Sequence, residues 1–352
     1  GRIYKYANKP LGMMHWLLHA DPPVPPTATV ALIDPDMFFL RPLWHDSFDS
    51  TEKYIATGPA TSPPVPHRME KGTMVAQQYG IGGAPWKSGK NGGNQKAWGL
   101  KDFFTNEAGR PSSPALDADI NERTAGRWYS IGAPYIALAS DWLPIATNWT
   151  NLMPMAVERS FGNLAEMYAM VIAVADLGIR PARVDHLMVS NVQAGGEGWP
   201  WVDKLPMDRG CDPTILTDPS FRLPTFLHYC QRYEIENLKA EALAQGFGGS
   251  GANQNSGPTD ARGSYWMYTK YQVPDEILHC PAGSTAAEGV KAPAKRSKGN
   301  MKLVGDGFLP EPSPLLVANS RKDLRGIFSH CAATRATNQA ARDYRRWFCD
   351  AQ

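Results

Sequence analysis

The sequence predicts an α/β protein with a mostly parallel central sheet flanked by helices and a loop-rich C-terminal part. Three observations lead there. Thr29 to Ile33 is an apolar, β-branched run, the pattern of a strand buried on both faces of a parallel sheet. It stops at Asp34-Pro35-Asp36, because Pro35 cannot donate to a ladder. Phe161 to Leu177 is the strongest helix pattern, with Leu164, Met167, Tyr168, Val171 and Ala175 as its apolar stripe and Gly178 as its stop. Finally, Gln245 to Ser264 is rich in Gly, Ser and Asn, and Gly283 to Asn300 carries Lys291, Lys295, Arg296 and Lys298. Both read as solvated loops in the last third of the chain.

Size and charge narrow the function classes. The 352 residues suffice for two domains or one large α/β domain. Apolar content of 43% and charged content of 20% describe a globular chain. A net charge of +2 gives no bulk attraction for nucleic acid, so no nucleic-acid partner is expected. No apolar run reaches bilayer-spanning length, so any membrane link is expected only through a segment outside this sequence. Gly1-Arg2-Ile3-Tyr4 has neither an initiator Met nor a signal pattern, which suggests a processed or shortened chain. Cys211, Cys230, Cys280, Cys331 and Cys349 form no CxxC pair. Their clustering suits one or two disulfides in an oxidising compartment, with free buried thiols as the alternative. Asn148-Trp149-Thr150 is a glycosylation sequon consistent with that compartment.

The elements follow in order. Pro10 suits the first turn of a helix over Leu11 to His19. After the Thr29 strand, Tyr54 to Ala56 reads as a strand, Ser62 to Pro66 as a turn-rich loop, and Met74 to Tyr79 as strand or helix. Gly80 to Gly99 is a surface loop, over a ligand or simply solvated. Trp128 to Ala139 reads as a strand bent at Gly132-Ala133-Pro134. Ser140 to Met153 reads as a helix with Trp142, Ile145, Ala146 and Trp149 on one face. Arg183 to Val189 is a further strand, Phe226 to Cys230 a short apolar run, and Tyr265 to Tyr271 strand-like. Asp323 to Phe348 is helical, either interrupted near His330-Cys331 or continuous.

The candidate chemistry lies at Asp34-Pro35-Asp36. Two carboxylates at the carboxyl end of a buried strand sit where open α/β sheets bind ligands. Hard oxygen ligands on a tight turn suit Mg²⁺ or Mn²⁺ holding a diphosphate, the logic of the DxD motif in sugar-nucleotide glycosyltransferases. On that reading Asp36 is on the metal, and Asp34 lies nearer the ribose or a metal-bound water. The alternative is an Asp-Pro turn with solvated carboxylates.

Several stretches together resemble the plant and green-algal peptide O-glycosyltransferases, namely hydroxyproline O-arabinosyltransferase and peptidyl serine α-galactosyltransferase. They are Asn8-Lys9-Pro10 with His15-Trp16-Leu17; Leu32-Ile33-Asp34-Pro35-Asp36-Met37 with Arg41-Pro42; Gly162 to Ala169; and Leu227-His228-Tyr229-Cys230-Gln231. Phe308-Leu309-Pro310-Glu311-Pro312 and the Cys331 to Cys349 helix are weaker echoes. The resemblance implies a GT-A-like fold, with a catalytic core over 1–240 and a C-terminal extension over 241–352 packing on it. It also implies a UDP-sugar donor, arabinofuranose or galactose, a divalent metal, and a hydroxyproline- or serine-rich acceptor such as an extensin. The setting is the secretory pathway, in the Golgi or ER lumen. Members usually carry further strands before the Asn-Lys-Pro stretch, so a partner chain is expected if the fold is incomplete. A non-catalytic homologue, acting as a binding or structural subunit, is the alternative.

With that resemblance, His228 becomes the expected second metal ligand beside Asp36, since imidazole suits Mn²⁺ better than Mg²⁺. A satisfied core histidine is the alternative. Both named relatives retain donor stereochemistry, which needs a carboxylate nucleophile or same-face attack. Glu166, on a mostly apolar helix, is the expected catalytic carboxylate near the anomeric carbon. A salt bridge, to Arg159 for instance, is the alternative. Trp86, Trp98, Trp199 and Trp201 are offered as stacking platforms, or as plain loop anchors.

Overall fold

The computed structural model describes residues 7–43, 66, 68–81, 83–86, 100–104, 113–159, 164–195, 197–235, 267–268, 270–280, 301, 303–304 and 307–349. They form a mixed α/β protein with three small sheets. In chain order the main helices are α1 (Asn8–His19), α2 (Glu122–Trp128), α3 (Ala139–Arg159), α4 (Ala165–Asp176), α5 (Trp199–Val202) and α6 (Arg321–Phe348). The strands are β1 (Thr29–Leu32), β2 (Met37–Phe39), β3 (Met74–Gln78), β4 (Ile131–Leu138), β5 (Ala182–Val184), β6 (Met188–Val189), β7 (Phe226–His228), β8 (Tyr233–Glu234) and β9 (Met267–Tyr268). The chain divides into two compact units, residues 1–34 with 43–187 and residues 35–42 with 188–352. The Tyr54 strand, the Ser62 loop (all but Pro66), most of the Gly80 loop with Trp98, and the Gln245 and Gly283 loops lie outside the described residues.

The first unit is organised by β4. All eight of its residues are buried, because Ile-Gly-Ala-Pro-Tyr-Ile-Ala-Leu presents apolar surface to both sides. Its sheet has the order β1-β4-β3-β5. β1 and β3 pair antiparallel to β4, and only the β3–β5 pairing is parallel. The mostly parallel sheet expected from the sequence is thus corrected to a mixed one with an antiparallel centre. β1 is an edge strand with Thr29 and Ala31 exposed and Val30 and Leu32 half-buried, not one buried on both faces. A five-residue apolar run does not say which strand is central; the eight-residue run of β4 took that place. The bend expected at Gly132-Ala133-Pro134 appears as a register shift opposite, between Ala76 and Gln77. Gly132 is required there, since a Cβ would come within 2.8 Å of the Tyr79 ring.

α3 runs through Pro144 and Pro154, beyond the expected end at Met153, and buries Trp142, Ile145, Ala146 and Trp149 completely. Its indoles are tied down: Trp142 Nε1 donates to the Val30 carbonyl at 3.0 Å and Trp149 Nε1 to the Glu166 carbonyl at 2.7 Å. The sequon lies inside this helix, where the Asn148 amide donates to Asp176 at 2.8 Å. α4 is buried on nearly every side rather than along one stripe, and Leu164 is exposed. Gly178, at φ +68°, ends it in the left-handed region that favours glycine.

The second unit has a three-stranded sheet ordered β2-β7-β6. β2 is antiparallel to β7 and β6 parallel to it. β8 and β9 form a separate antiparallel pair. α6 is continuous through His330-Cys331 and is capped by Ser320, whose hydroxyl accepts from the Asp323 N–H. Leu324, Ile327, Phe328 and Cys331 of α6 join a core with Leu227, Trp199 and Val202. Trp199 and Trp201 are core residues at 1% exposure, which removes them as sugar platforms. Trp86 anchors its loop by donating to the Ala115 carbonyl and stacking on Tyr129. Disulfides join Cys211 to Cys331 and Cys280 to Cys349, and Cys230 is free.

Two outcomes follow. The Cys211–Cys331 bridge closes a sequence separation of 120 residues. Replacing both cysteines by Ser should lower stability by about 2–5 kcal/mol in denaturant titration. His330 is wholly buried, and burial pushes its pKa down to about 3. The unfolded chain therefore binds a proton near pH 6.5 that the folded chain refuses. Stability should fall as pH drops from about 6.5 toward 3, and His330→Gln should flatten that slope in urea melts run across this range.

Candidate functional site

The carboxylates of Asp34-Pro35-Asp36 fall on either side of the division between the units: Asp34 closes a segment of the first and Pro35 opens a segment of the second. Each is neutralised within its own unit.

In the second unit the antiparallel pairing of β2 with β7 sets Met37 opposite His228. Asp36, one residue earlier, accepts the Tyr229 N–H on its backbone carbonyl at 2.9 Å. This register brings together two residues that lie far apart in sequence, with His228 Nε2 3.2 Å from Asp36 Oδ1. Lys270 Nζ donates to the other oxygen, Asp36 Oδ2. Burial opposes charge on both partners, but their contact outweighs it. The hydrogen bonds from His228 and Lys270 hold the Asp36 carboxyl well below the usual carboxylate range. Burial favours the neutral imidazole, yet the bonds to Asp36 and to the Cys230 sulfur carry His228 up to about 10.

In the first unit Lys9 is the hub. It projects from the first turn of α1, and its ammonium reaches Asp34 Oδ1 at 2.6 Å and Glu166 Oε1 at 2.5 Å. Glu166 is 5% exposed. Burial raises its pKa against the lowering effect of Lys9. Burial lowers that of Lys9, and the two carboxylates outweigh it, for a net rise. Tyr135 on β4 is wholly buried, and its hydroxyl is pushed well up by burial and by the charges of Glu166 and Asp34.

The structure thus brings Asp36 to His228 and, separately, Asp34 to Glu166. The salt-bridge partner of Glu166 is Lys9 rather than Arg159. Lys9 and Lys270 are the charged residues that sequence reasoning left without a role. Lys9 stands inside the quoted Asn8-Lys9-Pro10 stretch, which was a usable signal. Lys270, next to an aromatic segment, carried none.

A carboxylate oxygen just before β2 and an imidazole nitrogen on β7 form a borderline donor pair suited to Mn²⁺. Asp36 and His228 would hold such an ion; there it would offset charge on a bound diphosphate. The Lys9 ammonium holds Glu166 through Oε1. Compared with known protein families, curated proteins and solved structures, the chain matches none.

Removing the Lys9 charge takes the ammonium from the deeply buried Glu166 and from Asp34. Lys9→Met is expected to cost about 3–5 kcal/mol, read by chemical denaturation. Adding Glu166→Gln should recover part of the loss.

Proposed function

We propose that this chain is a divalent-cation-dependent, retaining glycosyltransferase that moves arabinofuranose or galactose from a UDP-sugar to hydroxyproline or serine of an extensin-like protein. The observation that carries the reading is the pairing of Asp36 with His228. The DxD carboxylate and the late-strand histidine of the resembling motifs meet at 3.2 Å through strand register. The two disulfides suit an oxidising lumen such as the Golgi or ER. On this reading Asp36 and His228 would hold the metal, which would offset charge growing on the diphosphate, while the roles of Asp34 and Glu166 stay as the resemblance implies them. A GT-A-like arrangement of the nucleotide pocket belongs to the same proposal.

A second reading has one observation in its favour. Every expected site carboxylate already has a lysine partner: Lys9 for Asp34 and Glu166, and Lys270 for Asp36. A non-catalytic homologue, holding its fold with lysines where an enzyme holds a metal, would look the same.

Calorimetric titration of UDP separates the two. The enzyme reading expects UDP binding that depends on Mn²⁺ and is lost in Asp36→Ala while the thermal unfolding temperature is kept. UDP binding that is absent with and without Mn²⁺ would favour the non-catalytic reading.

A further inference from the structure

Asp36 has two carboxylate oxygens, and both are engaged: Oδ1 by His228 and Oδ2 by Lys270. A cation held by Asp36 and His228 would take Oδ1 and Nε2, so His228 gives up the Nε2 proton it shares with Oδ1 and stays as a ligand, while Lys270 is left on Oδ2 beside the cation. The two are not equally free to leave. His228 sits in β7, the central strand of its sheet, and its side chain is 7% exposed. Lys270 lies on a single turn, Lys270–Gln272, and its side chain is 23% exposed. Its stem has four methylenes and its ammonium is compact and strongly hydrated, so it can swing without unfolding the turn. A resting place is at hand, because Nζ lies 5.2 Å from the ring centroid of Tyr271, itself 73% exposed.

We propose that Lys270 is a tethered counter-ion that occupies Asp36 until a divalent cation displaces it, and that a polyphosphate ligand drives the exchange by accepting the released ammonium. The proposal rests on the metal reading of Asp36 and His228. A doubly charged cation and an ammonium cannot share one carboxylate without strong repulsion. Once displaced, the ammonium stands beside the cation with no anion of its own, and phosphate oxygens satisfy both charges. Metal and polyphosphate thus favour each other's binding, and by linkage the effect is reciprocal. Until then Lys270 covers Asp36 and discourages a bare metal ion from settling without its anionic partner.

The probes are Mn²⁺ alone and inorganic pyrophosphate, with free Mn²⁺ followed by electron paramagnetic resonance on the full chain. Lys270→Met should bind Mn²⁺ on the order of tenfold more tightly than the wild type in the absence of anion. Lys270→Arg, which keeps the charge, should bind as the wild type does. Pyrophosphate should strengthen Mn²⁺ binding more in the wild type than in Lys270→Met. A second measurement needs no variant: acetylation of lysines read by mass spectrometry should label Lys270 more when Mn²⁺ is added, with Lys71 unchanged. If the wild type binds Mn²⁺ but Lys270→Met binds no more tightly, or Lys270 labelling stays constant, the counter-ion role is overturned while the metal reading stands. If neither wild type nor Lys270→Met binds Mn²⁺, both fall.

Discussion

The chain depends on the neutralisation of two carboxylates, Asp34 and Asp36, that flank one proline. Pro35 ends any ladder and leaves both side chains half-buried near strand ends. Half-buried carboxylates need partners, and each finds a cation in its own unit, Lys9 for Asp34 and Lys270 for Asp36. Lys9 also neutralises Glu166, so one ammonium ties α1 to the stretch after β1 and to the first turn of α4. Lys270 and His228 together hold Asp36 at the head of β2. In the second unit the contacts that satisfy burial also bring Asp36 to His228, the pair proposed to hold a cation.

Much of this was legible in the sequence. Of the two long helices, α3 was read from the apolar face of Trp142, Ile145, Ala146 and Trp149, and α6 was expected over Asp323 to Phe348 with its continuity left open. The stop at Gly178 was read from its residue type, and a bend was expected at Gly132-Ala133-Pro134. That the loop-rich half would hold one or two disulfides was read from the number and placement of its cysteines, while which of them pair came only with the structure. These signals are local, and local chemistry decides them.

What was misread was decided by distant partners. Whether Thr29 to Ile33 would be a central or an edge strand depended on the longer run at Ile131 to Leu138, which outcompeted it for the middle of the sheet. The direction of the neighbours followed from that. Trp199 and Trp201 looked like loop residues beside Pro200, yet both are buried, and Trp199 joins the core formed with α6 and the β6–β7 sheet. Lys9 was flagged only as part of Asn8-Lys9-Pro10 and Lys270 not at all, because a single lysine gives no periodic signal of its partner. Its partner lies on another element, and only the folded register brings the two into contact.

The central claim is that Asp36 and His228 are the protein's divalent-cation site. Anomalous diffraction at the manganese edge, from crystals grown with Mn²⁺ and UDP, tests it most directly. The account predicts a peak within bonding distance of an Asp36 carboxylate oxygen and of His228 Nε2, with Lys270 moved off Asp36. Density showing Lys270 still on Asp36, with no anomalous peak there at saturating Mn²⁺, would contradict it.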